Sequence, residues 1–277
     1  MRRSNSSGDV GIVVKVRSFQ EMEEAAQRRE VKGILFKRPP LACSVDMEKW
    51  VEAQEESLEA FAIEKLFVQA HGQEESAHDH AHDEERGCCE PEQPCSKRMR
   101  IFGPEEVTRA CKRLLQKVPK ALAEPIERDA KELSKMLVRL CPGSSTRCLS
   151  MQVEVVGRNA CQRWHQDRYI SRGVVTYNGP GTWMVDDSSV RYEQFKATYG
   201  APRNVSDPAI VPRFEDIHRP SPNDAALMKG SMWPGIQGVE GYEGLTHKSP
   251  NIGADARGNP VMKRLLLKVD LADDRMK

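Results

Sequence analysis

The chain has no long apolar run, no excess of charge of one sign, no paired C-x-x-C motifs and no internal repeat. Each absence excludes something. No stretch approaches the roughly 20 apolar residues that cross a bilayer, so no membrane span is expected. Residues 11–16 are apolar but short and broken by Lys15, so they do not read as the core of a secretory signal. The 42 basic residues stand against 41 acidic ones, and aromatics make up 6%. There is neither a basic field nor a basic stripe interleaved with aromatics, and no nucleic-acid partner is expected. The 8 cysteines are scattered along 277 residues, a length that builds a core without disulfide staples. Free thiols in a reducing compartment, the cytoplasm, are the expectation.

Three segments differ in composition. Residues 1–70 read as an N-terminal extension, partly helical. Residues 10–16 suit a short strand, and residues 50–70 suit a helix with Leu58, Phe61, Ile63, Leu66 and Phe67 on one face. Residues 71–99 have almost no large apolar side chain. They are predicted to be a disordered His/Glu-rich linker, because they bury too little to offset the entropy of ordering. Their His78, His80 and His82 suit loose capture of a divalent cation and, equally, a solvated tract with no duty. Residues 100–277 hold helices followed by a β-rich metal-binding domain. One helix is predicted from Gly103-Pro104-Glu105-Glu106, where proline suits the first helical position and the acidic pair suits the helix dipole. A second opens near Glu124-Pro125, with Ile126, Ala130, Leu133, Leu137 and Leu140 on one face, and Pro142-Gly143 stops it.

From Cys148 the apolar period changes to two, with Leu149, Met151, Val153 and Val155 alternating with polar or small residues. Residues 173–177, 225–228 and 262–270 read as further strands, joined by Pro- and Gly-rich connections at 201–222 and 231–244. Short strands and long loops without alternating helices predict an α+β protein. N-terminal helices would pack on a C-terminal antiparallel double-stranded β-helix, the jelly-roll or cupin-like arrangement.

The chemistry centres on Cys161-Gln162-Arg163-Trp164-His165-Gln166-Asp167. In extended chain, residues two apart point to the same side, so His165 and Asp167 can converge on one ion. His247 follows Asp167 by 80 residues, in Gly244-Leu245-Thr246-His247-Lys248-Ser249-Pro250. Two histidines and one carboxylate on one face of a metal leave positions open opposite, as non-haem Fe(II) oxygenases require. The H-x-[DE] pattern alone is weak: composition predicts about one match, and a second occurs at His82-Asp83-Glu84. The plain alternative is a packed or surface histidine beside an unrelated acid. The preceding strand, the distal histidine in a Gly/Ser/Pro loop and a later strand bearing Arg264 favour the metal. By alternation Arg264, Leu266 and Lys268 share one face of that strand and Leu265, Leu267 and Val269 the other. Arg264 suits bidentate capture of a co-substrate carboxylate such as that of 2-oxoglutarate, or a plain salt bridge. Arg257 has the commoner spacing after His247 but sits in a loop-like stretch. Gly179-Pro180-Gly181-Thr182 suits a tight turn or an anion nest. Trp183 and Trp233 suit a pocket wall or the core. Cys161 is a fourth ligand if the ion is zinc, or a small buried apolar residue.

These residues come in one order: Cys161-x-x-x-His165-x-Asp167, Val175-Thr176-Tyr177-x-Gly179-Pro180-Gly181-Thr182, Leu227-x-Lys229-Gly230, His247-x-Ser249-Pro250, then Arg264-Leu265-Leu266-Leu267 and Asp270. The series resembles the domain-of-unknown-function family eighteen-twenty-six over about residues 104–270. That resemblance implies His165, Asp167 and His247 at motif positions and no particular reaction. Trp164 stands where phenylalanine is expected, and Trp183 follows the Gly-Pro-Gly-Thr turn at once. The order is also similar to the wider iron- and 2-oxoglutarate-dependent oxygenase pattern. That likeness implies a dioxygenase: Fe(II) on the three ligands, 2-oxoglutarate on Arg264, and a small-molecule or protein substrate. Two further expectations compete with it. One is a non-enzymatic zinc protein of metal handling that adds Cys161 to the ligand set. The other is an interaction module whose site residues do no chemistry.

Overall fold

Strict alternation over two long strands makes one face of a sheet aliphatic and leaves the other free for polar groups. In the computed structural model, which describes residues 11–54, 62–68, 103–140, 147–157, 161–236, 241–253 and 261–273, that sheet has seven strands. In chain order the elements are β1 (Ile12–Val16), α1 (Phe19–Ala26), β2 (Val31–Phe36), α2 (Ser44–Glu52), β3 (Ala62–Val68), α3 (Pro104–Leu114), α4 (Lys120–Leu140), β4 (Arg147–Val156), β5 (Ser171–Thr176), β6 (Trp183–Val185), α5 (Glu193–Ala197), α6 (Arg203–Ile210), β7 (Ile217–His218), β8 (Ala225–Lys229), β9 (His247–Lys248) and β10 (Arg264–Asp273).

The large sheet runs β1-β2-β8-β5-β10-β4-β3, and β7-β6-β9 form a small one. Every pairing is antiparallel except β1 with β2, which α1 joins in parallel. The fold therefore mixes helix and sheet, and its sheets do not close into a barrel. Helices α1 to α4 cover one face of the large sheet. There Leu149, Met151, Val153 and Val155 of β4 and Leu265, Leu267, Val269 and Leu271 of β10 pack with Ile126, Leu133 and Leu137 of α4 and Val107, Cys111 and Leu114 of α3. The opposite face meets the small sheet through Val174, Met228, Leu266, Met184 and Leu245. A cavity opens between the sheets beside this second cluster. No helix among the described residues is long and apolar enough to cross a membrane.

Several sequence expectations are corrected in detail. Residues 50–70 are not one helix: α2 ends at Glu52, and residues 62–68 form β3 on the edge of β4. The run of apolar residues there is spaced as well for a strand as for a helix. The second helix of the α3–α4 pair begins at Lys120 rather than near Pro125, which lies inside it. Pro119 accepts the first backbone bonds of that helix instead. Where the sequence predicts only a short strand at residues 10–16, the structure has a β-α-β unit, β1-α1-β2. Ser18 caps α1, its hydroxyl accepting from Glu21 N at 3.0 Å, while the Glu21 carboxylate accepts from Arg17 N at 2.8 Å. The expected linker at 71–99 lies outside the described residues, and so does Arg257.

One crossing fixes the loop that carries Asp167. Past β8, Gly230 N donates to Ile170 O at 3.0 Å, Ser231 N to Asp167 O at 3.0 Å and Met232 N to Tyr169 O at 3.3 Å. A Cβ on Gly230 would lie 1.9 Å from Tyr169 O, a backbone atom that no rotamer change can move aside. Gly230→Ala is therefore expected to destabilise the fold by about 3 kcal/mol, the upper range of overpacking costs. A lower urea midpoint at unchanged slope is the expected result. An unshifted midpoint would show that the two loops part freely.

Candidate metal centre

His165 and His247 face each other across an antiparallel bridge: His165 N donates to His247 O at 3.0 Å, and His247 N to His165 O at 2.9 Å. The bridge adds the His165 segment to the small sheet beside β9. The ring centroids are 4.4 Å apart. Asp167 lies between them, with Oδ1 3.8 Å from His165 Nε2 and Oδ2 3.4 Å from His247 Nε2. One donor atom from each of the three residues lies within 4.8 Å of the other two, and this is the metal-suited group found among the described residues.

The protonation pattern follows from the backbone. His165 Nδ1 is 2.8 Å from Arg163 O, and His247 Nδ1 is 3.0 Å from Leu245 O. A carbonyl only accepts, so each Nδ1 carries its hydrogen outward and turns Nε2 inward, where a ring without a second proton presents a lone pair. The two Nε2 atoms and the Asp167 carboxylate then converge on one space. Burial, with the neighbouring His247, pushes the His165 imidazole below its ordinary pKa, which opposes a proton there. Burial alone would raise the Asp167 carboxyl. Hydrogen bonding and charge from His247, then Arg172 and His165, hold it well below the usual carboxylate range instead. A divalent cation fits this donor set, and carbonyl acceptors behind both imidazoles are the support that metal-ligating histidines use.

The cavity beside the triad has a volume of about 650 Å³. Arg264 lines it at 2% exposure, Nη1 donating to Pro180 O at 2.9 Å, and its Nε has no hydrogen-bond partner among the described residues. Burial brings its pKa down to about 10, so it is cationic at neutral pH without a carboxylate beside it among the described residues. Lys268, paired with Glu154 at 2.5 Å, and Arg172, paired with Asp167 and Asp270, line the same space.

The other sequence candidates fall elsewhere. Cys161 lines the cavity in a left-handed conformation (φ 51°), but its sulfur does not join the donor group. Gly179, at φ 72°, makes the tight turn, and Gly181 N is committed to Pro220 O, so no anion nest opens there. Trp233 is buried in the helix-side core beneath Lys229. Trp183 packs against Phe214, with Lys248 over its ring. Sequence reasoning missed Arg172. The available signal was its register opposite Asp270 in adjacent strands, which only strand pairing reveals.

The fold and the triad define a mixed helix-and-sheet protein with a two-histidine, one-carboxylate centre at an intersheet cavity. The chain belongs to the family described as "Protein of unknown function (DUF1826)", whose model matches residues 75–270 and so begins before the expected residue 104. Two solved structures are similar. One is a bsmA homolog from Methylobium petroleophilum PM1, at 10% identity and TM-score 0.38, covering 98% of each chain. The other, from Caulobacter crescentus, is described as a candidate 2OG-Fe(II) oxygenase family protein. It has 10% identity and TM-score 0.35, with 95% of this chain and 86% of that one covered. No curated protein matches.

If the three grouped donors suffice, Cys161→Ser should leave Co(II) or Zn(II) affinity within about twofold of wild type. His247→Ala should weaken it by more than about 100-fold, beyond what an outer-sphere loss costs. Isothermal titration of untagged protein measures both. A large loss in Cys161→Ser would restore the four-ligand zinc site.

Proposed function

We propose that the protein is an Fe(II)- and 2-oxoglutarate-dependent oxygenase acting on a substrate held in the intersheet cavity. The observation that carries this reading is the pair of outward Nδ1–H···O=C bonds, which turns both Nε2 atoms and the Asp167 carboxylate toward one space. His165, Asp167 and His247 would hold the ion and leave positions open on the cavity side. When bound, ferrous iron supplies the reduction of O2 that oxidises 2-oxoglutarate to succinate and CO2 and the substrate to its hydroxylated product.

Arg264 supports the co-substrate. A buried guanidinium with an uncommitted Nε costs desolvation, and a carboxylate entering the cavity would offset it. Pro180 O holds one Nη1 and so limits how the side chain turns. Lys268, Glu154, Arg172 and Asp270 line the remaining wall, which favours a polar substrate. The strand orders support a jelly-roll frame, with β4, β10, β5 and β8 facing β7, β6, β9 and the His165 segment. The alternative of a closed zinc site for metal handling draws no support from Cys161, whose sulfur lies outside the donor group.

Two measurements test this. Anaerobic titration of Fe(II) and 2-oxoglutarate into metal-free protein should produce a weak visible charge-transfer band, and admission of O2 should form succinate. Absence of both would end the oxygenase reading. Arg264→Met should abolish the 2-oxoglutarate-dependent band. It should also stabilise the metal-free protein by about 1–3 kcal/mol in urea unfolding, because an uncompensated buried charge is replaced by an apolar chain of similar length. An unchanged band would remove Arg264 from the co-substrate site.

A further inference from the structure

Arg172 stands where three oxygens of two carboxylates meet. Its Nη1 donates to Asp167 Oδ2 at 2.7 Å, while Nε and Nη2 donate to Asp270 Oδ1 and Oδ2 at 2.6 and 3.0 Å. The Tyr169 ring lies 4.8 Å from its guanidinium carbon. All three charged side chains are largely buried, at 18%, 17% and 13% exposure for Arg172, Asp167 and Asp270. Arg172 and Asp270 sit directly opposite each other in the β5–β10 register, so their fork is built into strand pairing.

We propose that Arg172 is a positioning residue for the metal centre: it holds Asp167 Oδ2 so that Oδ1 is the oxygen left for the cation, and Asp270 fixes and neutralises Arg172. The proposal rests on the metal reading above. The backbone of Asp167 is already fixed by Ser231 N on its carbonyl, and the approach to β5 by the bond from Ile170 N to Leu271 O. The torsion of the carboxylate is what the backbone leaves undetermined, and a guanidinium fork anchored on a neighbouring strand sets it. A purely structural role fits less well. On this face of the sheet an aliphatic trio of similar volume would cost no desolvation, and replacing buried ion groups by apolar ones is often neutral or stabilising. A lone arginine would also compete with the metal for the carboxylate. Asp270, bonded through both oxygens, cancels that charge and lets orientation be gained without repelling a divalent ion.

The test uses the full chain with Co(II) as probe, reading both the dissociation constant and the visible ligand-field spectrum. Arg172→Gln should weaken Co(II) binding by about 10- to 100-fold, the usual effect of losing a partner behind a ligand, and should change the spectrum. Arg172→Lys should recover part of the affinity, since one ammonium reaches one carboxylate but cannot fork. The double variant Arg172→Gln/Asp270→Asn removes the Arg172–Asp270 pair without leaving Asp270 as an unpaired buried charge. It should melt within a few degrees of wild type and still bind weakly. A double variant, or an Arg172→Lys variant, with wild-type affinity and spectrum would overturn the positioning role while leaving the metal site standing. Wild-type protein that binds no Co(II), or that binds it equally well as His247→Ala, would overturn the metal reading and this proposal with it.

Discussion

Two backbone hydrogen bonds between His165 and His247 join chain segments from opposite ends of the β-rich region, and the centre exists only because they form. Neighbouring bonds extend the ladder: Ser249 N to Cys161 O on one side, Val185 N to Thr246 O on the other. Within this ladder each imidazole turns back to the carbonyl two residues before it, Arg163 O and Leu245 O. The same device therefore sets both tautomers, and it is made of main chain. A side-chain substitution near the site leaves that orientation in place, whereas slippage of the ladder by one residue would turn both rings away.

The large sheet divides its labour by face. Positions 149, 151, 153 and 155 of β4 and 265, 267, 269 and 271 of β10 are aliphatic and lie under the helices. The intervening positions, Gln152, Glu154, Arg264, Lys268 and Asp270, line the cavity. Stability comes from the first set, since apolar burial is the main favourable term in folding. The second set works against it, because each charge taken from water needs a partner. Lys268 has Glu154, and Arg172 has two carboxylates, but the Nε of Arg264 has no partner among the described residues. An inner face so composed is poor as packing and well suited to holding charged solutes, and the helix-covered face supplies the stability that tolerates it.

Much of this was legible where local pattern and final environment agree. The period-two runs at β4 and β10, the strands at β5 and β8, and the helix starting at Pro104 all appear close to where alternation and turn chemistry put them. His165 and Asp167 were legible from their spacing, and Arg264 from the face it shares with Lys268. What failed was information held between strands. Residues 62–68 pair with β4, and that pairing, not their own spacing, makes them a strand. Val31–Phe36 is nearly continuous in its burial, with Lys32 inside it, and shows no alternation to read. Arg172 looked like one basic residue among 42, because its meaning depends on Asp270 across the ladder and Asp167 behind it.

The N-terminal strands show how far support for the centre extends beyond the residues the family shares. The family match begins at residue 75, yet β1 and β2 form one end of the large sheet. β1 is an edge strand, and edges are normally left with unpaired backbone donors. Here the chain just after β6 supplies the acceptors: Gly11 N donates to Asp187 Oδ2, Val13 N to Asp186 Oδ1, and Asp187 N returns a bond to Gly11 O. Lys32, fully buried in β2, pairs with Asp187 at 2.7 Å, and Tyr192 Oη donates to the same carboxylate. Breaking one side of so buried a pair would leave an uncompensated charge, a larger loss than the pair itself contributes. The cluster therefore clamps the large sheet to the end of β6, and β6 pairs through Met184 with His247. The position of the distal histidine thus depends on a β-α-β unit more than two hundred residues before it in the chain.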